Sequence, residues 1–396
     1  MGCSQSQSQD DGAQQRRSRV VPSAVTTGYS DAPVRGAAVS VGRQSSATSG
    51  TGARSSRLLR ATAAPKRGSH VVQSNLKVRN DAAVNQYKKV SAKPIGKGFQ
   101  SKVYLVEDTA SKSRTRFAMK VLNTKRVQKM ADRATDSDLL GLNQGGGEAW
   151  IEVQVAKRVQ HKNLVGLVEV ITNSNANDES IYLILELMAK AFEKQTSAKR
   201  EQVRRWGRQL LCGLSCLHDA GVVHRDIKVD NCLLSPEGVA KLGDFGLAHM
   251  IPLNLRGKAG SDWLQKGMGS RKFRAPEVIV TSSGNRELAL DCPAPAQITR
   301  RPQPTPGRGF SGFRADVWAL GCVLFSLVVG SLPFEGRDKT EQVWNILNQP
   351  LVWPRRVTKD PTLHDLLEQM LQKDPMKRIM PAGGLGHRWF ARDAGL

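Results

Sequence analysis

His224-Arg225-Asp226-Ile227-Lys228-Val229-Asp230-Asn231, followed by Asp244-Phe245-Gly246 and then Ala275-Pro276-Glu277, is the stretch on which the fold turns. It places Asp226, a Lys two residues on and an Asn five residues on in one short segment, with a second Asp opening the next. Carboxylate and amide oxygens suit a hard cation, and a fixed ammonium beside them suits a centre where negative charge develops. Any one of these tripeptides recurs by chance. All three in this order, behind a glycine loop and a lysine, do not.

Upstream, Ile95-Gly96-Lys97-Gly98-Phe99-Gln100-Ser101-Lys102-Val103 has the form G-x-G-x-x-S-x-V. Glycines serve where backbone amides must approach phosphate oxygens with no Cβ in the way. Phe117-Ala118-Met119-Lys120-Val121 follows after a strand-sized interval. Together the motifs resemble the eukaryotic protein kinases of the Ser/Thr class over about residues 87–391. The resemblance implies an α+β bilobal fold: a small antiparallel β-sheet N-lobe with one main helix (about 87–188), then a larger, mainly α-helical C-lobe (about 189–391).

It also implies ATP and Mg2+ as cofactors and a role for each motif. Asp226 would orient the acceptor hydroxyl, and Lys228 marks Ser/Thr specificity and would neutralise the moving phosphoryl group. Asn231 and Asp244 would be the metal ligands. Lys120 would hold the α- and β-phosphates and pair with Glu152, nine residues before His161; Glu148 is the competitor. The nucleotide would lie among Ile95, Gly96, Lys97, Gly98, Phe99, Ser101, Val103, Ala118, Lys120, Glu186, Met188 and Leu233, with Leu185 at the entrance to the adenine pocket. His224 and Phe245 would stack, Glu277 would pair with Arg378, and Asp316 would tie down the catalytic-loop backbone.

Composition bounds the rest. The 396 residues are 39% hydrophobic, enough for a large core, and carry a net charge of +24. Such an excess suits anionic lipid, acidic partners or nucleic acid, but no recognised nucleic-acid motif accompanies it, so none is expected. Cysteines at 3, 212, 216, 232, 292 and 322 show neither disulfide-framework nor zinc spacing, and no secretory signal is visible, which places the chain in a reducing, cytosol-facing compartment. The apolar run Val317–Val329 is thirteen residues, short of the roughly 20 that a membrane span needs, and reads as a core helix.

Residues 1–82, rich in Ser, Gln, Gly and Arg, are expected to be a disordered basic tail. Alternation predicts strands at Val90–Ile95, Lys102–Glu107, Arg116–Leu122, Leu164–Ile171 and Ile181–Met188. Helical spacing is expected over Glu148–Val159 and from Glu201 to His218, with insert loops at about 123–147 and 282–310.

The long loop after Lys120, the phrase Leu164–Val170, Pro333-Phe334 and Trp389 resemble the calcium/calmodulin-dependent protein kinase kinase group, which activates other kinases. Few residues follow Phe390, so calmodulin control is not expected. Ser270 sits at the substrate-facing position, and Ser261 is a candidate phosphosite that would pair with Arg225. Met1-Gly2-Cys3-Ser4-Gln5-Ser6 fits N-myristoylation of Gly2, with Cys3 a site for palmitate and nearby arginines attracted to anionic lipid. The expected address is therefore the cytoplasmic face of a membrane. A rival reading is a pseudokinase scaffold, disfavoured because every catalytic position is filled.

Overall fold

Residues 77–98, 101–123, 147–172, 180–192, 198–258, 260–281 and 309–393 are described by a computed structural model, all within the unit Pro65–Leu396. In the first half of the unit, apolar alternation in the longer strands builds one sheet. Its strands are β1 (Lys77–Asn80), β2 (Tyr87–Lys89), β3 (Gly96–Lys97), β4 (Ser101–Asp108), β5 (Arg116–Asn123), β6 (Leu167–Thr172) and β7 (Ser180–Glu186). The order is β1-β6-β7-β5-β4-β2, with β3 also pairing β4. Every pairing is antiparallel except β1 with β6.

The two-residue period of β5 decides what each face does. Met119 packs with Tyr87, Val106, Ile171 and Ile184 on one side. On the other side Leu122 packs against Val153, Val170 and Leu183, and Lys120 shares that face with the helix α1 (Gly147–Arg158). From α1, Val153 enters the sheet's core. Val155, and Val159 just past the helix, enter the larger helical core.

That second core is built on α2 (Arg200–Asp219), where Trp206, Leu210, Leu214 and Leu217 are buried on the expected face. It packs with α4 (Gly312–Val329), which follows a short α3 (Pro276–Thr281), and α4 packs in turn with α7 (Pro361–Met370); α5 (Lys339–Asn348) and α6 (Arg355–Thr358) lie between them in sequence. By length and composition α4 could cross a bilayer, yet 72% of it is buried inside the protein, as a core helix should be. It ends at Gly330, whose φ of 93° is the left-handed turn that glycine tolerates best. The α+β bilobal architecture is the one expected.

The strands expected at Leu164–Ile171 and Ile181–Met188 run over Leu167–Thr172 and Ser180–Glu186, and three further boundaries differ from expectation. The segment Val90–Ile95 is not a strand: Pro94 lacks the N–H a ladder needs, so Ser91–Pro94 bows out while Val90 N and Ile95 N still bond Leu105 O (3.0 Å) and Val103 O (2.8 Å). Second, Lys77–Asn80, expected within the tail, joins the sheet edge as β1. Arg79 anchors it through ion-pair contacts with Glu169 and a 2.7 Å bond to Gln86; Tyr87 Oη donates to the same Glu169 at 2.7 Å. Third, the 282–310 insert ends in structure, since the short strand Phe310–Ser311 pairs with Trp263–Leu264. The rest of that insert (282–308), residues 124–146 and the tail through 76 lie outside the described residues.

Candidate active site

The register Val103↔Lys120↔Leu183 sets Lys120 in the middle strand of the small lobe. Its ammonium lies 2.7 Å from Glu152 Oε1 and 2.7 Å from Asp244 Oδ1, so it joins sheet, helix and the Asp-Phe-Gly segment. Glu152 is thus the carboxylate brought to Lys120, and its Oε1 also accepts from Phe245 N at 3.1 Å. Burial alone would lower the Lys120 ammonium, but Glu152 and then Asp244 hold it charged, above the ordinary lysine range. Burial pushes Glu152 up against the pull of Lys120. Desolvation acts upward on Asp244 too, yet 49% of its side chain opens to the cleft and the ammonium dominates, holding it down at about 2.

Asp226 sits where its loop is tied on every side. Lys228 Nζ reaches Oδ2 at 2.6 Å, Asn231 Nδ2 reaches Oδ2 at 3.1 Å and the Asp226 carbonyl at 2.9 Å, and Ser270 N reaches Oδ1 at 2.8 Å. Asp316, buried at the start of α4, accepts from His224 N (2.8 Å), Arg225 N (2.9 Å) and His218 Nε2 (3.0 Å). Those contacts hold Arg225 at its positive φ of 69°. The His224 and Phe245 rings lie 5.4 Å apart. Glu277 and the buried Arg378 form a bidentate pair at 2.7 and 3.1 Å.

A cleft of about 1390 Å³ opens between the lobes. Its walls include Ile95, Gly96, Lys97, Gly98, Ser101, Val103, Ala118, Lys120, Leu185, Glu186, Met188, Leu233, Asn231 and Asp244. Of the nucleotide positions expected from the sequence, only Phe99 lies outside the described residues. The glycine hairpin is tight: Gly98 N bonds Ser101 O at 2.9 Å, and a Cβ at Gly98 would fall 2.9 Å from Ser101 Oγ. No group of three His, Cys, Asp or Glu side chains among the described residues forms a metal cage. The donors that remain are the Asp244 carboxylate and the Asn231 side-chain oxygen, whose amide nitrogen is committed to Asp226. Two hard oxygen donors facing a phosphate-sized cleft fit a divalent cation that keeps other ligands from water or phosphate.

Sequence reasoning missed Lys241. Its ammonium lies 2.8 and 2.6 Å from the two oxygens of Glu186, and Gly166 N donates to the same carboxylate at 2.6 Å. The Glu186 side chain is therefore a brace for the lobe junction, and its backbone N–H is spent on Gly166 O at 3.0 Å. Lys241 lies in the short strand Ala240–Leu242, paired to Cys232–Leu234, and no local motif marks it.

A cleft with a lysine bridged to two carboxylates and an Asp-Lys-Asn cluster beneath it defines a phosphotransferase of the protein-kinase type. The chain belongs to the protein kinase family: residues 89–292 and 303–390 match the protein kinase domain, and its curated relatives are of the eukaryotic Ser/Thr type. It is 29% identical over 306 residues to serine/threonine-protein kinase STK11 of Rattus norvegicus, covering 75% of this chain and 59% of that one. It is 26% identical over 317 residues to serine/threonine-protein kinase GRIK1 of Arabidopsis thaliana, covering 79% and 68%. With the calcium/calmodulin-dependent protein kinase kinase of Caenorhabditis elegans it shares 31% over 249 residues, 61% of this chain but 40% of the relative. The chain thus spans about two fifths to two thirds of the length of these relatives.

Proposed function

We propose that this protein transfers the γ-phosphoryl group of ATP to Ser and Thr hydroxyls of protein substrates, with Mg2+ as the metal. The observation that carries this reading is the assembled centre: Lys120 bridges Glu152 and Asp244 while Lys228, Asn231 and Ser270 converge on Asp226. Asn231 and Asp244 would hold the cation, which when bound offsets phosphate charge. Lys120 would bind phosphate oxygens from the fixed position that Glu152 gives it. Asp226 would accept the hydroxyl hydrogen bond and orient the oxygen, and Lys228 would stabilise charge on the moving group.

The test is transfer of labelled phosphate from ATP to a mixed protein substrate. Wild type should label Ser and Thr, and Asp244→Ala should lose the activity by about two to three orders of magnitude, as removal of a main electrostatic contact does. Nucleotide binding with no transfer by wild type would favour the scaffold reading instead.

The likeness to a kinase kinase supports other kinases as substrates. For the address, Met1-Gly2-Cys3 supports acylation and membrane attachment, although Gly2 and Cys3 lie outside the described residues. One acyl chain binds membranes marginally, so the second chain or the arginines are part of this reading. Mass spectrometry of the mature N-terminus should show myristoyl-Gly2; a free or acetylated Gly2 ends it.

A further inference from the structure

Between Leu247 and Glu277 the chain carries six cations, Arg256, Lys258, Lys266, Arg271, Lys272 and Arg274, against two carboxylates, Asp262 and Glu277. Both carboxylates are engaged elsewhere. Asp262 accepts from Ser311 Oγ, and Glu277 is locked to Arg378. Nothing in the segment itself balances its charge.

Arg271, Lys272 and Arg274 follow directly on Ser270, whose backbone N–H bonds Asp226. They therefore lie on the lip where an acceptor hydroxyl must arrive. Arg274 is fixed there: its Nε and Nη2 donate to Gly269 O at 3.1 and 2.8 Å, and it lines with Asp226 a small cavity of about 30 Å³. Burial lowers the Arg274 guanidinium and Arg271 lowers it further, so the two cations crowd one another. Asp226 pulls the other way, but its oxygens are already taken by three donors. Among the described residues no carboxylate forms an ion pair with Arg271 or Lys272, and Lys272 is exposed. Like charges held together without an internal counter-charge are stabilised by an anion from outside.

We infer that Arg271 and Lys272, on a lip positioned by Arg274, read an acidic side chain on the protein substrate within a few residues of the acceptor hydroxyl. The inference rests on the phosphotransfer reading and adds a substrate class to it. Arg271 and Lys272, without a carboxylate partner among the described residues, are the specificity residues; Arg274 positions the lip through the Gly269 carbonyl.

The experiment compares peptides identical except for Glu, Ala or Lys at each position within three of the acceptor Ser, read as kcat/KM. At the preferred position wild type should favour Glu over Ala by about tenfold, the ordinary size of one charge-assisted hydrogen bond. Arg271→Ala with Lys272→Ala should bring that ratio close to one. Arg271→Glu should invert it in favour of Lys, a result that a misfolded variant, losing all peptides alike, does not give. Equal use of Glu and Ala peptides by wild type overturns the inference while leaving the phosphotransfer reading intact. So does a preference that survives both variants. Loss of anionic-vesicle binding in the double variant, with peptide preference unchanged, assigns these cations to a membrane and overturns it too. No transfer to any peptide by a nucleotide-binding wild type removes the phosphotransfer reading and this inference with it.

Discussion

Asp226→Asn is expected to slow phosphotransfer by about a thousandfold, within the range that a positioned acid or base contributes, while leaving ATP affinity within a few-fold. The reason lies in the donors around the carboxylate. Oδ1 accepts from Ser270 N, and Oδ2 accepts from Lys228 Nζ and Asn231 Nδ2. An Asn side chain offers one acceptor atom and one donor. In either flip its NH2 group faces N–H groups that need an acceptor, and the less costly flip points it at Ser270. The hydroxyl of a substrate then meets a weak acceptor in a loop whose register against the activation segment has loosened. A buried donor left without a partner costs about 1–3 kcal/mol, so a modest fall in Tm should accompany the loss of rate. Lys120 bonds Asp244 and Glu152 rather than Asp226, and with the glycine hairpin Lys120 and Asp244 keep the nucleotide. If the Asn variant turns over peptide within tenfold of wild type, Asp226 is not the group that receives the hydroxyl, and the reaction is carried by phosphate positioning alone.

The parts of the site legible from sequence are those in which chemistry demands several residue types within one short segment. Asp226, Lys228 and Asn231 are neighbours in the chain because one tight loop must present them together. The assignment of Glu152 over Glu148 needed only a count from His161. By contrast, the Glu186–Lys241 brace joins a strand end to a residue 55 positions on, and each is an ordinary charged residue in its own context. The strand β1 was hidden for a related reason. Lys77–Asn80 has no apolar alternation of its own, and what fixes it is Arg79 meeting Glu169, 90 residues away. Pro94 carried a readable signal against a continuous strand through Val90–Ile95, since proline cannot donate to a ladder. The apolar flanks outweighed it in the periodicity. The cation-rich lip was visible as composition, but that both carboxylates of its segment are engaged elsewhere is a property of the fold.

Glu277→Ala is expected to destabilise the protein by about 3–5 kcal/mol, the usual result of stripping one partner from a buried ion pair. At about 2–4 °C per kcal/mol for domains of 150–250 residues, Tm should fall on the order of 10 °C. Arg378 is 2% exposed and donates to Glu277 Oε1 and Oε2 and to the carbonyls of Arg314 and Gln372. The pair therefore clamps the end of the activation segment to α4 and the chain after α7. With Glu277 gone, the guanidinium stays charged at any accessible pH and has only carbonyl dipoles to face. Arg378→Ala strands a buried carboxylate instead and should cost a comparable amount. Replacing both, Glu277→Leu with Arg378→Met, removes both charges and should recover much of the loss. Thermal melts of the three variants decide the matter. If Glu277→Ala melts within a degree or two of wild type, the pair is not what holds this lobe together, and the apolar packing of Trp318 and Phe325 along α4 carries the stability by itself.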